Sequence, residues 1–208
     1  MGRFAFASLI VVALAAPASA ELLTLSGEVQ TGGMYGKGTS GDQKDNGFFA
    51  IAPHFLYGAN LAAELLFFDV WIQHQQFTEF SGTLATWTQF GVGVHHVFDL
   101  GTEPQKKLHK GNFFEAGLGF FFGIGTPIQA KLPLSNDQLS DKGFSAEVRF
   151  GYGVHLNPVL DLALAVPASY GWFTKPNQTG CSANMLSCDY QSFQIEALVV
   201  LRANLRLF

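Results

Sequence analysis

A chain of 208 residues in which 13% are charged, 48% are hydrophobic, 21 are Phe and 23 are Gly carries too few charges to coat a soluble surface, since an ordinary soluble domain is about a quarter charged. The formal charge of -4 offers no electrostatic footprint for nucleic acid. Beyond the N-terminal leader there is no uncharged apolar run of about 18 residues, so transmembrane helices are excluded as well.

In chain order, the first element is a leader. Arg3 precedes an apolar run from Phe4 to Ala16, and Ala18, Ser19 and Ala20 lead into Glu21, the pattern of a secretory signal with an A-x-A cleavage site. Residues 1–20 are therefore expected to be a cleaved signal peptide, and 21–208 a single domain.

From there the organising signal is period-two alternation. It is cleanest where Phe144, Ala146, Val148, Phe150, Tyr152, Val154 and Leu156 oppose Ser145, Glu147, Arg149, Gly151, Gly153 and His155. Such segments, cut at turn signals, predict strands at 23–35, 48–57, 61–77, 84–98, 113–126, 143–156, 160–174 and 190–208. Glu64 and Asp69 have opposite parity within the third, which predicts a bulge, and Pro53 and Pro167 interrupt the second and seventh ladders. The uncharged stretch from Ala116 to Ala130 is broken by four glycines and Pro127 and makes a poor helix. If such a chain meets lipid it does so as a closed barrel, the one sheet in which every backbone group is paired.

Eight strands bring the chain back to the side on which it began. Connections at 36–47, 78–83, 127–142 and 175–189 are expected on the outside, and turns at 58–60, 99–112 and 157–158 on the periplasmic side, where both termini also fall. Tyr35, Trp87, Tyr170, Trp172 and Tyr190 are placed toward the outer rim, and Tyr57, Phe98 and Phe208 toward the inner one, as interface aromatics. Cys181 and Cys188 flank a short polar segment without His in an exported chain, which predicts a disulfide in the last outer loop and not a metal site.

Periodicity alone leaves open which face points outward; a soluble barrel with an oily interior alternates in the same way. The polar face is mostly Gly with a few charges, too poor for a water-facing exterior, so the apolar face is placed outward. The inward set then holds Glu28, Gln30, Gln89, His95, Glu115, Glu147, Arg149, His155, Glu196, Arg202 and Arg206. An eight-stranded barrel is about wide enough for side chains to fill, which predicts a plugged lumen. Buried charge is costly unless paired, so Arg149, Arg202 and Arg206 are expected to meet carboxylates there. The fold class is all-β: an eight-stranded antiparallel up-and-down transmembrane β-barrel.

With its leader, eight alternating segments, long outer loops and terminal Phe208, the chain resembles the small bacterial outer-membrane barrels of the OmpA, OmpX and OmpW type. The resemblance implies a Gram-negative outer membrane as its location. It departs from the usual C-terminal pattern, because Arg206, Asn204 and Arg202 share the phase of Phe208 while Leu207, Leu205 and Leu201 take the other. The soluble peptidoglycan-binding domain that OmpA-like proteins often append is not expected here.

His74, Glu79 and Ser81 near one rim could serve a surface enzyme acting on lipid A or peptides, but no spacing joins them, and they are read as solvated rim residues. His95 and His96 are adjacent and point to opposite faces, so they cannot chelate as a pair. Lys106, Lys107, His109 and Lys110 make a basic turn, read as a solvated face that could touch anionic headgroups. The function expected is non-enzymatic, structural or adhesive, with no catalytic, cofactor or metal residues. Its partners are membrane lipid, lipopolysaccharide and envelope or surface proteins, and a porin-like conduit for small or hydrophobic molecules is the alternative.

Overall fold

The computed structural model describes residues 23–41, 54–78, 84–102, 109–127, 141–176 and 187–207. The leader, Pro53, Glu79, Ser81, Lys106, Lys107, Cys181 and Phe208 lie outside them.

Among the described residues there are eight strands: β1 Leu23–Gly41, β2 His54–Leu65, β3 Phe68–Thr78, β4 Leu84–Asp99, β5 Gly111–Pro127, β6 Asp141–His155, β7 Leu160–Pro176 and β8 Ser187–Leu207. Each pairs antiparallel with its sequence neighbour, and β8 pairs with β1 to close the ring. The up-and-down barrel read from alternation is thus the fold. One end of it, the turn end, carries Leu23, Leu207 and the connections after β2, β4 and β6; the other is the loop end.

Six of the predicted strands lie within a few residues of their positions. The second and third do not, and the predicted turn at 58–60 is an error. β2 runs straight through Gly58, Ala59 and Asn60 and turns at Leu66 and Phe67. Leu66 takes a positive φ of 61° there, which a bulky side chain seldom does. Gly58 serves close approach instead of turning, for a Cβ on it would lie 2.5 Å from the carbonyl oxygen of His74. The bulge predicted from Glu64 and Asp69 is also wrong. The two face each other across the hairpin, and the turn between them accounts for their opposite parity.

The last turn follows its sequence signal, since the Asn157 side-chain oxygen accepts from the N–H groups of Val159 and Leu160, at 2.8 and 2.9 Å. Pro167 keeps its place against β6, but pairing with β8 lapses at Val166 and Pro167 and resumes in the same register. The connection between β4 and β5 is the long one at the turn end.

The apolar face points outward. Val29, Leu61, Phe68, Ile72, Phe122 and Leu164 are each at least half exposed, part of a largely apolar belt. On β1 the belt runs from Leu25 to Tyr35; at ~3.3 Å per residue and a tilt of ~40° that is a height of about 25 Å, the apolar height of an outer-membrane barrel. Tyr35, Tyr57, Tyr170 and Trp172 are exposed toward the loop end. Tyr57 belongs to this group, contrary to its predicted place at the inner rim, because β2 starts later than expected. Trp87 and Tyr190 sit at the expected height but are buried inside the barrel and take no part in the girdle.

Hydrogen-bonded rows climb steeply. The row that starts at Glu28 passes through Asn60, Gln73, Gln89, Gly123, Gly143, Phe173 and Tyr190 and returns to β1 at Gly41. Residues at one height are therefore offset in register from strand to strand, and that offset decides which inward side chains meet.

Candidate functional site

The lumen is built in layers. At the loop end it is apolar: Met34, Leu56, Phe77, Trp87, Phe173 and Tyr190 are all buried. Phe173 stacks on Tyr190 with ring centroids 5.4 Å apart and meets Trp87 edge-on at 5.9 Å. The inward glycines are the floor on which these rings lie. A Cβ on Gly143 would stand 1.9 Å from the Phe173 ring, and one on Gly123 2.2 Å from the Trp87 indole. Trp71 lies over Gly91 and Gly119 in the same way, deeper in the barrel. Absent side chains on one strand thus make room for large rings on the next.

Below the rings is a layer of amides and hydroxyls. The Trp87 indole N–H donates to Gln89 Oε1 at 2.8 Å, Gln89 Nε2 donates to Gln73 Oε1 at 2.9 Å, and Gln75 Nε2 donates to Glu196 Oε2 at 3.0 Å. Each polar group beneath the aromatic layer that makes such a bond avoids the cost of burial unpaired.

The next layer carries the charges. Arg202 Nε lies 2.5 Å from Glu28 Oε1 and its Nη1 2.7 Å from Glu115 Oε2. Arg149 bridges the same two carboxylates, with Nε 3.3 Å from Glu115 Oε1 and Nη1 3.5 Å from Glu28 Oε2. His95 adds contacts to Glu115 at 3.5 Å and to Glu64 at 3.6 Å, and Asn60 Nδ2 donates to Glu28 at 3.2 Å. Two guanidiniums and two carboxylates, contributed by β1, β5, β6 and β8, span the lumen as a neutral square. Glu115 is 0% exposed and Glu28 and Arg202 are 5%, a setting in which each charge requires its partners.

Nearest the turn end is a vestibule of about 790 Å³, lined by Thr24, Glu64, His95, Asp99, His109, His155, Asp161 and Arg206, with Trp71, Glu147 and Arg149 at its inner end. At its mouth His155 is held on both sides: Nδ1 is 2.6 Å from Asp161 and Nε2 is 2.8 Å from Asp99. Asn204 Nδ2 donates to the other oxygen of Asp161 at 2.6 Å. Arg206 donates to the carbonyl of Pro158 on the rim.

Glu28, His95, Glu115, Glu147, Arg149, His155, Glu196, Arg202 and Arg206 all have inward parity and gather at different heights of the lumen. Glu28, Glu115, His95, Arg149 and Arg202 come together; Glu196 joins the amide layer, and His155 and Arg206 belong to the mouth. Sequence reading missed Glu64, Asp69, Asp99 and Asp161 as lumen groups. Parity would have found Asp99 and Asp161, which share phase with His95 on β4 and with the inward face of β7. Of the rim candidates, His74 is exposed on the outward face, with Nδ1 2.8 Å from Thr88 Oγ1. Cys188 lies in β8, and the Cys181–Cys188 pairing falls outside the described residues.

No family model and no curated protein matches the chain. Among solved structures it is similar to Neisserial surface protein A (NspA), with 11% identity, a TM-score of 0.50, and 87% of this chain and 96% of that chain covered. It is also similar to the N-terminal β-barrel domain of Pseudomonas aeruginosa OprF, with 12% identity, a TM-score of 0.45 and 86% and 97% covered. At 11% identity the likeness to NspA speaks for architecture alone, and that architecture agrees with the ladders and the apolar belt: the chain has the eight-stranded antiparallel barrel fold of small bacterial outer-membrane proteins.

Proposed function

We propose that this protein is a non-enzymatic barrel of a Gram-negative outer membrane, closed to bulk flow, that anchors its connecting loops at the cell surface for contact with lipopolysaccharide and envelope or surface proteins. The observation that carries the reading is what fills the lumen: the ion-paired square of Arg149, Arg202, Glu28 and Glu115 and, toward the loop end, the packed rings of Trp87, Phe173 and Tyr190. Purified protein in planar bilayers is expected to give no steady conductance. Steady single-channel steps would overturn the closed lumen and favour a conduit.

Location and orientation belong to the same proposal. The belt fits lipid, and the short turns after β2 and β6, on the side of Leu23 and Leu207, fit a periplasmic placement of the termini after removal of residues 1–20. The protein is expected to fractionate with the outer membrane and to migrate differently on a gel when boiled. An epitope tag after Leu207 should be reached by antibody only when the outer membrane is opened; labelling of intact cells would reverse the orientation.

A disulfide between Cys181 and Cys188 would order the last loop by shortening its unfolded alternatives. Alkylation of the unfolded protein is expected to modify neither cysteine until a reductant is added. Labelling without reductant would remove the bridge from the proposal.

A further inference from the structure

The mouth of the vestibule carries a group of side chains that the closed lumen does not use. Asp99 ends β4, His109 stands two residues before β5, and His155 ends β6. One ligand atom from each lies within 4.8 Å of the others. His155 Nε2 is 2.8 Å from Asp99 Oδ1, His109 Nδ1 is 4.0 Å from Asp99 Oδ2, and the two imidazoles stand edge to face at 81° with centroids 5.8 Å apart.

We propose that Asp99, His109 and His155 form a binding site for one zinc-class divalent cation at the turn-end mouth of the lumen. Two imidazoles and one carboxylate are the donor set of a three-ligand zinc site that leaves a fourth position open. They suit zinc better than magnesium or calcium, which take oxygen ligands. Ligand atoms around zinc stand ~2.0–2.2 Å from the metal, so the widest separation here must close by about 1.5 Å. His109 supplies that movement, because it lies on the connection and not in a strand, while His155 and Asp99 are fixed by their ladders.

The surroundings of His155 match what such a ligand needs. Its Nδ1 is engaged by Asp161 at 2.6 Å, and Asp161 is itself held by Asn204. A carboxylate behind the ring fixes the tautomer and leaves Nε2 facing the other two ligands, the arrangement that orients metal-binding histidines. His109 has a positive φ of 45° and is followed at Gly111 by another of 97°. Non-glycine residues rarely hold that conformation, and one held there at a cluster of ligand atoms points to function. Bound metal would tie the long connection after β4 to the ends of β4 and β6.

The test uses the whole barrel without an affinity tag, folded in detergent, stripped with a chelator and titrated calorimetrically with Zn²⁺. One zinc per barrel is expected, with Co²⁺ giving the visible band of a tetrahedral site with nitrogen ligands and Mg²⁺ giving no comparable binding. His109→Ala, which leaves every strand intact, is expected to abolish uptake while heat-modifiable migration persists. Asp161→Asn is expected to weaken it by about 10–100-fold. No uptake by the wild type, uptake unchanged in His109→Ala, or equal binding of Mg²⁺ would each overturn the site. A channel in the conductance experiment would leave this result untouched, so the two proposals fail separately.

Discussion

Arg202→Met is expected to lower the unfolding free energy of the barrel by about 3–5 kcal/mol, the cost of leaving buried charge without its partner. The reason is local. Arg202 is within 2.7 Å of both Glu28 and Glu115, and its loss leaves two carboxylates facing the single guanidinium of Arg149. Urea unfolding in lipid vesicles, followed by tryptophan fluorescence, measures the effect. Adding Glu115→Leu returns the square to one guanidinium and one carboxylate and is expected to recover most of the loss, since removal of a whole buried pair is often close to neutral. A cost below about 1 kcal/mol for Arg202→Met would mean that vestibule water screens the carboxylates and that pairing does not hold this layer together.

Trp87→Ala is expected to cost about 3–5 kcal/mol, the range for deleting a large buried aromatic. It removes the ring that meets Phe173, the side chain that lies over Gly123 and the donor to Gln89. Gly123→Val alone is expected to cost about 1–3 kcal/mol by overpacking, because its Cβ would stand 2.2 Å from the indole. Together the two changes should cost less than their sum by about 1–3 kcal/mol, since the valine enters the space that the indole vacates. Strict additivity in this double-mutant cycle would refute the picture of glycines as seats for rings.

The strand count, the closure and the outward face were legible because they depend on parity, and parity is written residue by residue between Phe144 and Leu156. The turn after β2 was not. Gly58 and Asn60 have the composition of a turn but are spent on packing and on a bond to Glu28, while the real turn at Leu66 and Phe67 has no turn residue at all. Glu64 and Asp69 held the clue: inward charges an odd number of residues apart require either a bulge or a reversal between them.

The lumen set was likewise legible as a set, because an inward position is again a matter of parity. Its pairings were hidden. Arg202 meets Glu28 across the closing ladder, yet it also meets Glu115, four strands from Glu28 around the ring, and only the offset of register from strand to strand brings those heights together. The cation site was further out of reach, since Asp99, His109 and His155 have no common spacing in the chain and meet only where three elements end.

The steep climb of the hydrogen-bonded rows also has a mechanical side. Barrel girth depends on strand number and on the total stagger accumulated around the ring. A slip of one residue between two strands would expose the charges and is heavily penalised, but a slip of two keeps every side chain on its proper face. Such a slip would change the diameter while leaving the inside-out pattern intact. Among the described residues the ladder between β1 and β8 is the longest, and it contains the register shift between Gly38 and Ser40, an irregularity that fits only one alignment. That seam joins the first strand to the last, so the register it holds completes the stagger around the ring and with it sets the width of the barrel.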